Sequence, residues 1–314
     1  MRRAIDLQGH RGARGLFPEN TLAGFSAALA IGVDSFELDV AVTADGVPVV
    51  SHDPALNPDL VRGPDGAWLT VRGPLIRTLR LSELAAYDVG RIRPGSAYAS
   101  QFPDQAPCDG ARIPTLAEVL GAEVLGAEVL GAEVPGAEAL AVAPAVRFNL
   151  EMKTFPAHPD WTVSATAMAE AVIAVAEAAG AIGRITVESF DWRGPRQVRR
   201  LRPDLPLAWL TSPESVAEAA LWWDGPVPAD YAGSVPRAVA AEGGPIWAPH
   251  HAELTGELID EAHTLGLAVL AWTVNHAASM RRLLRAGIDG LITDRPDIAR
   301  KVLAEEGFPP PSAR

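Results

Sequence analysis

The chain has 314 residues, of which 48% are hydrophobic and 21% charged, and a formal net charge of -12. Apolar material is ample for a large core, and the acidic balance argues against wrapping nucleic acid or lying on an anionic bilayer. No stretch approaches the ~20 apolar residues of a membrane span, and the single cysteine, Cys108, rules out an internal disulfide while fitting a reducing, cytoplasmic setting.

The amino end, MRRAIDLQGHRG, carries a basic pair without the apolar run of about 7–15 residues that a secretory signal needs. From there, short apolar runs alternate with helix-like segments, as expected of βα units and a parallel sheet. The pattern predicts a strand at Ile5–Gln8, a helix at Thr21–Ile31, and strands at Ser35–Val40 and Val47–Ser51. Between 54 and 114 prolines, glycines and arginines break the pattern over a length unlike an ordinary βα loop, which predicts an insertion or cap over the barrel mouth.

Residues 119–138 repeat VLGAE three times and close with VPGAE. A period of five rotates its apolar pair around a helix of ~3.6 residues per turn, so no single face stays buried. A mobile or weakly helical extension of the helix beginning at Pro114–Leu120 is expected, with no chemical role.

Further strands are predicted at Arg147–Met152, Ile185–Phe190, Leu205–Leu210, Pro245–Ala248, Leu267–Thr273 and Gly290–Ile292. Helices are predicted at Trp161–Ala179, Thr255–Leu265 and His276–Ala286. Gly32, Gly180, Gly266 and Gly287 follow helices where a left-handed cap is cheapest for glycine. Nine strand candidates in a chain of this length point to one α/β domain over 1–314, a (β/α)8 TIM barrel with an inserted segment after the third strand.

Four blocks at strand ends carry the chemistry: HRG at 10–12, ELD at 37–39, HD at 52–53 and EMK at 151–153. Glu37 and Asp39 are two apart on a strand and share a face, as do Asn149, Glu151 and Lys153. Taken singly, each carboxylate is more often a salt-bridge partner at a strand end. Paired on one face, Glu37 and Asp39, with Glu151 from a neighbouring strand, suit a hard divalent cation, Ca2+ or Mg2+. His10 and His52 each end a predicted strand, so a parallel barrel puts both at its mouth, where one imidazole can take a proton while the other gives one. Arg11 and Lys153 add positive charge that suits a phosphate or pairs with a neighbouring carboxylate.

At this level of detail the chain resembles the glycerophosphodiester phosphodiesterases. The matching stretches are HRGARGLFPENTLAGFSAAL, FELDVAVTADGVPVVSHDP, NLEMK, SFD at 189–191, AWTVN at 271–275 and GIDGLITDRPD at 287–297. The resemblance implies a (β/α)8 barrel with a segment inserted after the HD block, and a divalent cation on Glu37, Asp39 and Glu151. It also implies His10 and His52 as the acid–base pair, with Arg11 and Lys153 holding the phosphate of a small glycerophosphodiester. Phe190 and Trp272 are expected as pocket walls. PENT at 18–21 has an equal reading as a helix cap. Two rival readings stand beside this one, a phospholipase D-type enzyme acting on lysolipids or sphingolipids and a non-catalytic phosphate-binding barrel.

Overall fold

Several strand segments, including SFELDVAV and LAWLT, are buried along their whole length, so they belong to a sheet covered on both faces. The computed structural model describes residues 3–125 and 146–311. Its first part contains β1 (Asp6–His10), α1 (Leu22–Ile31), β2 (Ser35–Val42), β3 (Pro48–Val50), α2 (Leu81–Leu84) and α3 (Leu116–Leu125). The second begins with β4 (Arg147–Met152), α4 (Ala165–Ala178), β5 (Ile185–Ser189), α5 (Arg193–Leu201), β6 (Leu207–Thr211), α6 (Pro213–Ala217) and α7 (Ala219–Trp222). It continues through α8 (Val235–Glu242), β7 (Ile246–Pro249), α9 (Gly256–Thr264), β8 (Ala268–Ala271), α10 (Ala277–Ala286), β9 (Gly290–Thr293) and α11 (Pro296–Glu305).

The strands pair in the order β1-β9-β8-β7-β6-β5-β4-β2, and β1 pairs with β2 to close the ring. Every pairing around that ring is parallel, which makes a (β/α)8 barrel. The helices wrap the outside because their connections must return the chain to the same end of the sheet. Their ends follow local chemistry: Thr21, Ser164 and Thr255 accept from the first-turn amides of α1, α4 and α9. The four glycines predicted to follow helices all have positive φ.

One expectation is corrected. The third predicted strand is not a barrel strand, because β3 runs antiparallel to the end of β2, with Val50 opposite Val40 and Pro48 opposite Val42. A turn at Ala44–Gly46, closed by Thr43, is too short for the crossover that parallel pairing requires, so the chain folds back as a hairpin. His52 therefore arrives at the mouth from above the rim, with the Ser51 amide donating to the Asp39 carbonyl at 2.9 Å.

The main core fills the space between sheet and helices, with Trp192 stacked on Trp223 at 4.0 Å between ring centroids. A second cluster lies under the irregular stretch: Leu56, Val61, Ile76, Leu84 and Ile113 pack on Ala41 and Val49 of the β2–β3 hairpin. A third, Ala208, Leu210, Ala248, Leu270 and Ile292, is contributed by β6 to β9. Helix α3 includes the start of the pentapeptide repeat up to Leu125, and the expectation for 126–138 lies outside the described residues.

Candidate active site

The loop from β1 to α1 builds one side of the site. A side chain at Gly9 would meet the Gly12 carbonyl oxygen at 2.2 Å, and one at Gly12 would meet the Gly24 backbone at 2.6 Å, so this loop closes on itself only with glycine at both places. Arg11 and Asn20 take left-handed backbone conformations, φ 52° and 54°, which non-glycine residues adopt at a cost of about 1–2 kcal/mol. Hydrogen bonds hold them there. The Arg11 amide donates to the Glu37 carbonyl at 2.9 Å and to Glu37 Oε2 at 3.0 Å, and the Asn20 amide donates to the Arg11 carbonyl at 3.0 Å.

Strand register builds the acidic part. Asp39 of β2 lies beside Glu151 of β4, which lies beside Glu188 of β5, while His10 of β1 lies beside Glu37. One oxygen from each of Glu37, Asp39 and Glu151 falls within 4.8 Å of the others. Glu37 Oε1 and Asp39 Oδ1 are buried without a hydrogen-bond partner, Asp39 Oδ1 having only the Lys153 ammonium at 3.5 Å. Buried unpaired carboxylate oxygens are costly, and an oxygen-seeking divalent cation is the group that satisfies several at once. The donor set fits such an ion.

The charges around the triad respond to this crowding. Burial, reinforced by Asp39, Glu188 and Glu151, pushes the Glu37 carboxyl well above the ordinary carboxylate range. Burial also raises Glu151 to about 7, against the pull of Lys153, and raises Glu188 to about 8, with Glu151 adding to the shift. Asp39 goes the other way: burial opposes its charge, but Arg11, His52, Lys153 and the Asn20 amide hold it well below the ordinary range. The contacts are close, with Arg11 Nε 3.0 Å and Lys153 Nζ 3.5 Å from Asp39, and Lys153 Nζ 2.8 Å from Glu151 Oε1. Asn20 Nδ2 donates to Asp39 Oδ2 at 2.8 Å, so the asparagine of PENT reaches a carboxylate of the triad.

Both predicted histidines are tied at Nδ1 to a carboxylate. His10 Nδ1 lies 2.7 Å from Asp294 Oδ1, and His52 Nδ1 lies 2.8 Å from Asp53 Oδ1. Asp294 is itself held by Arg14 at 2.8 and 3.0 Å and by Asn275 at 2.7 Å. Although burial opposes its charge, His10 and Arg14 keep Asp294 ionised far below the ordinary range. An ionised carboxylate only accepts, so Nδ1 carries the hydrogen and Nε2 keeps its lone pair. Burial, with Arg14 adding repulsion, lowers His10 to about 4, and burial with Arg11 and Lys153 lowers His52. Both rings are thereby biased to the neutral form.

His10, Arg11, Arg14, Glu37, His52, Glu151, Lys153, Glu188, Phe190, Leu210, Trp272, Thr273 and Ile292 enclose a cavity of about 300 Å³. Phe190 and Trp272 meet edge to face at 5.3 Å, and the Trp272 indole donates to the Ala248 carbonyl at 2.9 Å. One side of the cavity is charged and the other apolar.

Against known proteins, a sequence profile described as the Glycerophosphoryl diester phosphodiesterase family matches residues 10–298. The chain belongs to this family. It is similar to a solved structure from Silicibacter pomeroyi, provisionally named a glycerophosphoryl diester phosphodiesterase, with 37% identity, TM-score 0.83, and coverage of 98% of this chain and 96% of that one. It is 26% identical to a glycerophosphodiester phosphodiesterase of Caldanaerobacter subterraneus, over 95% of this chain and 97% of the relative. A phosphodiesterase of Oleispira antarctica, solved with sn-glycerol-3-phosphate, shares the fold at 21% identity and TM-score 0.64, with coverage of 96% of this chain and 97% of that one. As a member of the glycerophosphodiester phosphodiesterases, the chain is a phosphodiester hydrolase.

Within this family member the structure brings together His10, Arg11, Glu37, His52, Glu151, Lys153, Phe190 and Trp272 around one cavity, with Asp39 buried beneath them. Sequence reasoning missed Glu188, Arg14 and Asp294 as parts of the site, and read Asp53 as part of the HD block without foreseeing its hold on His52. Asp53 and Asp294 stand inside matched motifs, and Glu188 directly precedes SFD.

Proposed function

We propose that this phosphodiesterase cleaves glycerophosphodiesters to glycerol 3-phosphate and an alcohol, using His10 and His52 as the acid–base pair and a divalent cation, Ca2+ or Mg2+, held by Glu37, Asp39 and Glu151. The observation that carries the reading is the meeting of two carboxylate-tethered imidazoles and a carboxylate triad with unpaired oxygens around one cavity. When bound, the cation supplies neutralisation of charge growing on the phosphoryl oxygens.

The chain's own residues do the rest. Arg11 and Lys153 orient the phosphate, and their fixed charges resist reorganisation as the reaction proceeds. One imidazole takes the proton of the glycerol 2-hydroxyl on its free Nε2 as that oxygen bonds to phosphorus, and the other, which enters the step as an imidazolium held by its carboxylate and the anionic substrate, gives its Nε2 proton to the alcohol oxygen as its bond to phosphorus breaks. In the second half water opens the cyclic phosphate and the two rings exchange roles. Asp294 and Asp53 keep each Nε2 aimed and stabilise whichever ring carries the extra proton. Phe190, Leu210, Trp272 and Ile292 offer an apolar wall for the carbon skeleton and exclude water from it.

The Oleispira relative, solved with sn-glycerol-3-phosphate as product, supports the same product here. For a lysolipid substrate an apolar face along 54–114 would be needed, and among the described residues there the large exposed hydrophobic side chain is Val71. A small soluble diester, met in the cytoplasm, is the better match. The direct test is release of glycerol 3-phosphate from glycerophosphocholine with added Ca2+ or Mg2+, with chelator, and with His10→Ala. Release that needs the cation and disappears in the variant supports the reading. No release from any simple glycerophosphodiester sinks it.

A further inference from the structure

The 54–114 stretch supplies a side chain to the loop that holds Arg11, although it contains none of the site residues read from the sequence except by contact. The Tyr98 hydroxyl donates to Glu19 Oε2 and accepts from Arg14 Nη1 at 3.4 Å. The other oxygen of the same carboxylate, Glu19 Oε1, accepts from Arg11 Nη1 at 2.9 Å. Tyr98 is held over the loop by its neighbours: its ring lies 5.2 Å from that of Phe102, which in turn carries the Arg14 guanidinium at 4.8 Å. Gln105 Nε2 donates to the Arg14 carbonyl at 2.7 Å, the Ala106 amide to the Leu16 carbonyl at 2.8 Å, and Arg295 pairs with Asp104 at 2.8 Å.

We propose that Tyr98 is a positioning residue which, through Glu19, fixes the guanidinium of Arg11 for phosphate, so that the irregular segment completes the anion-binding side of the site. This rests on the reading of Arg11 as a phosphate ligand. Glu19 is nine-tenths buried, and each of its oxygens has one main donor, Arg11 for Oε1 and Tyr98 for Oε2. Remove the phenol oxygen and Oε2 loses its protein donor. A buried carboxylate then turns to find another, and the nearby candidates are Arg14 and water. Either movement loosens the bond that orients Arg11. Burial and the Glu19 charge push the Tyr98 phenol up, so it remains a donor across the working pH range.

The test compares Tyr98→Phe, Glu19→Gln and the double variant by kcat and KM on glycerophosphocholine, by calorimetric titration with inorganic phosphate in the presence of Mg2+, and by thermal unfolding. Tyr98→Phe is expected to raise KM and the phosphate Kd by roughly tenfold, the size of a lost charge-assisted hydrogen bond. The double variant should be no worse than Glu19→Gln alone, because the tyrosine acts through the glutamate. Should Tyr98→Phe fail to fold, Glu19→Gln, which keeps the Gln105 and Ala106 contacts of the segment, tests the link through the glutamate by the same two readouts, and unchanged values there overturn the proposal. An unchanged KM and phosphate Kd, or losses that multiply in the double variant, overturn the proposal. If the wild type binds phosphate in a Tyr98-dependent way but turns over no glycerophosphodiester, the positioning role stands and the hydrolytic reading falls. If the wild type does not bind phosphate, the positioning role falls.

Discussion

The interior of this barrel has two halves that could hardly differ more. Strands β1, β2, β4 and β5 point Gln8, Glu37, Asn149, Glu151 and Glu188 inward, linked across the barrel by Asn149, whose amide donates to both Gln8 and Glu188. Strands β6 to β9 fill the same depth with Ala208, Leu210, Ala248, Leu270 and Ile292. Each half alone is ordinary. Their opposition puts hydrocarbon across the cavity from the carboxylates, which strengthens the charge interactions there and raises the cost of a charge left unpaired. On the proposed reading a cation and an anionic substrate complete the polar half, whereas the apolar half is complete as folded. Function should be sensitive to the first half and little affected by the second, whereas stability draws on both.

The largest break in that comparison is expected from His52→Ala, which should lower turnover by roughly 10²–10⁴-fold while leaving cation affinity near the wild-type value, as steady-state assays and calorimetry would show. At the seam where β9 meets β1, Asp294→Ala strips both His10 and Arg14 of a buried partner and should cost about 3–5 kcal/mol at neutral pH. Because folding holds that carboxyl below its ordinary value, its contribution is full above about pH 4 and fades as the pH falls further, so denaturation of variant and wild type should converge in acid. In the apolar half, Leu270→Ala should cost about 2–5 kcal/mol in denaturant unfolding without changing cation affinity.

Adding Ca2+ or Mg2+ at a hundred times its Kd should stabilise the wild type by about 2.7 kcal/mol, a gain absent from Glu37→Gln and readable as a shift in thermal midpoint. The gentlest probe is Ile292→Val, expected to cost about 0.5–1.5 kcal/mol of stability with kcat unchanged. A large fall in kcat there would mean the apolar wall takes part in chemistry.

Much of the polar half was legible in the sequence because its residues lie two apart on single strands, as Glu37 with Asp39 and Asn149 with Glu151 and Lys153 do. Strand alternation alone puts them on one face. What stayed hidden depends on contacts between distant parts of the chain. Asp294 meets His10 across 284 positions, and nothing local marks an aspartate that will bind a histidine. Glu188 joins the acidic row only through the register of β4 on β5.

His52 was placed at the mouth for the wrong reason, since β3 is a hairpin return rather than a barrel strand, and a short apolar run does not reveal its direction. Tyr98 sits where the sequence has no period to follow, in a segment organised by its own small core and by docking onto the β1–α1 loop. The alternation of strands and glycine-capped helices, by contrast, is a local signal. It carried the barrel.

The central claim divides labour within the polar half: carboxylates hold the cation and imidazoles move protons. Calorimetric titration of Ca2+ or Mg2+ into the wild type, Asp39→Ala and His52→Ala, with turnover measured on the same samples, tests it most directly. The account predicts weakened cation binding in Asp39→Ala, and near-normal binding with lost turnover in His52→Ala. Equal cation binding in all three proteins would contradict it.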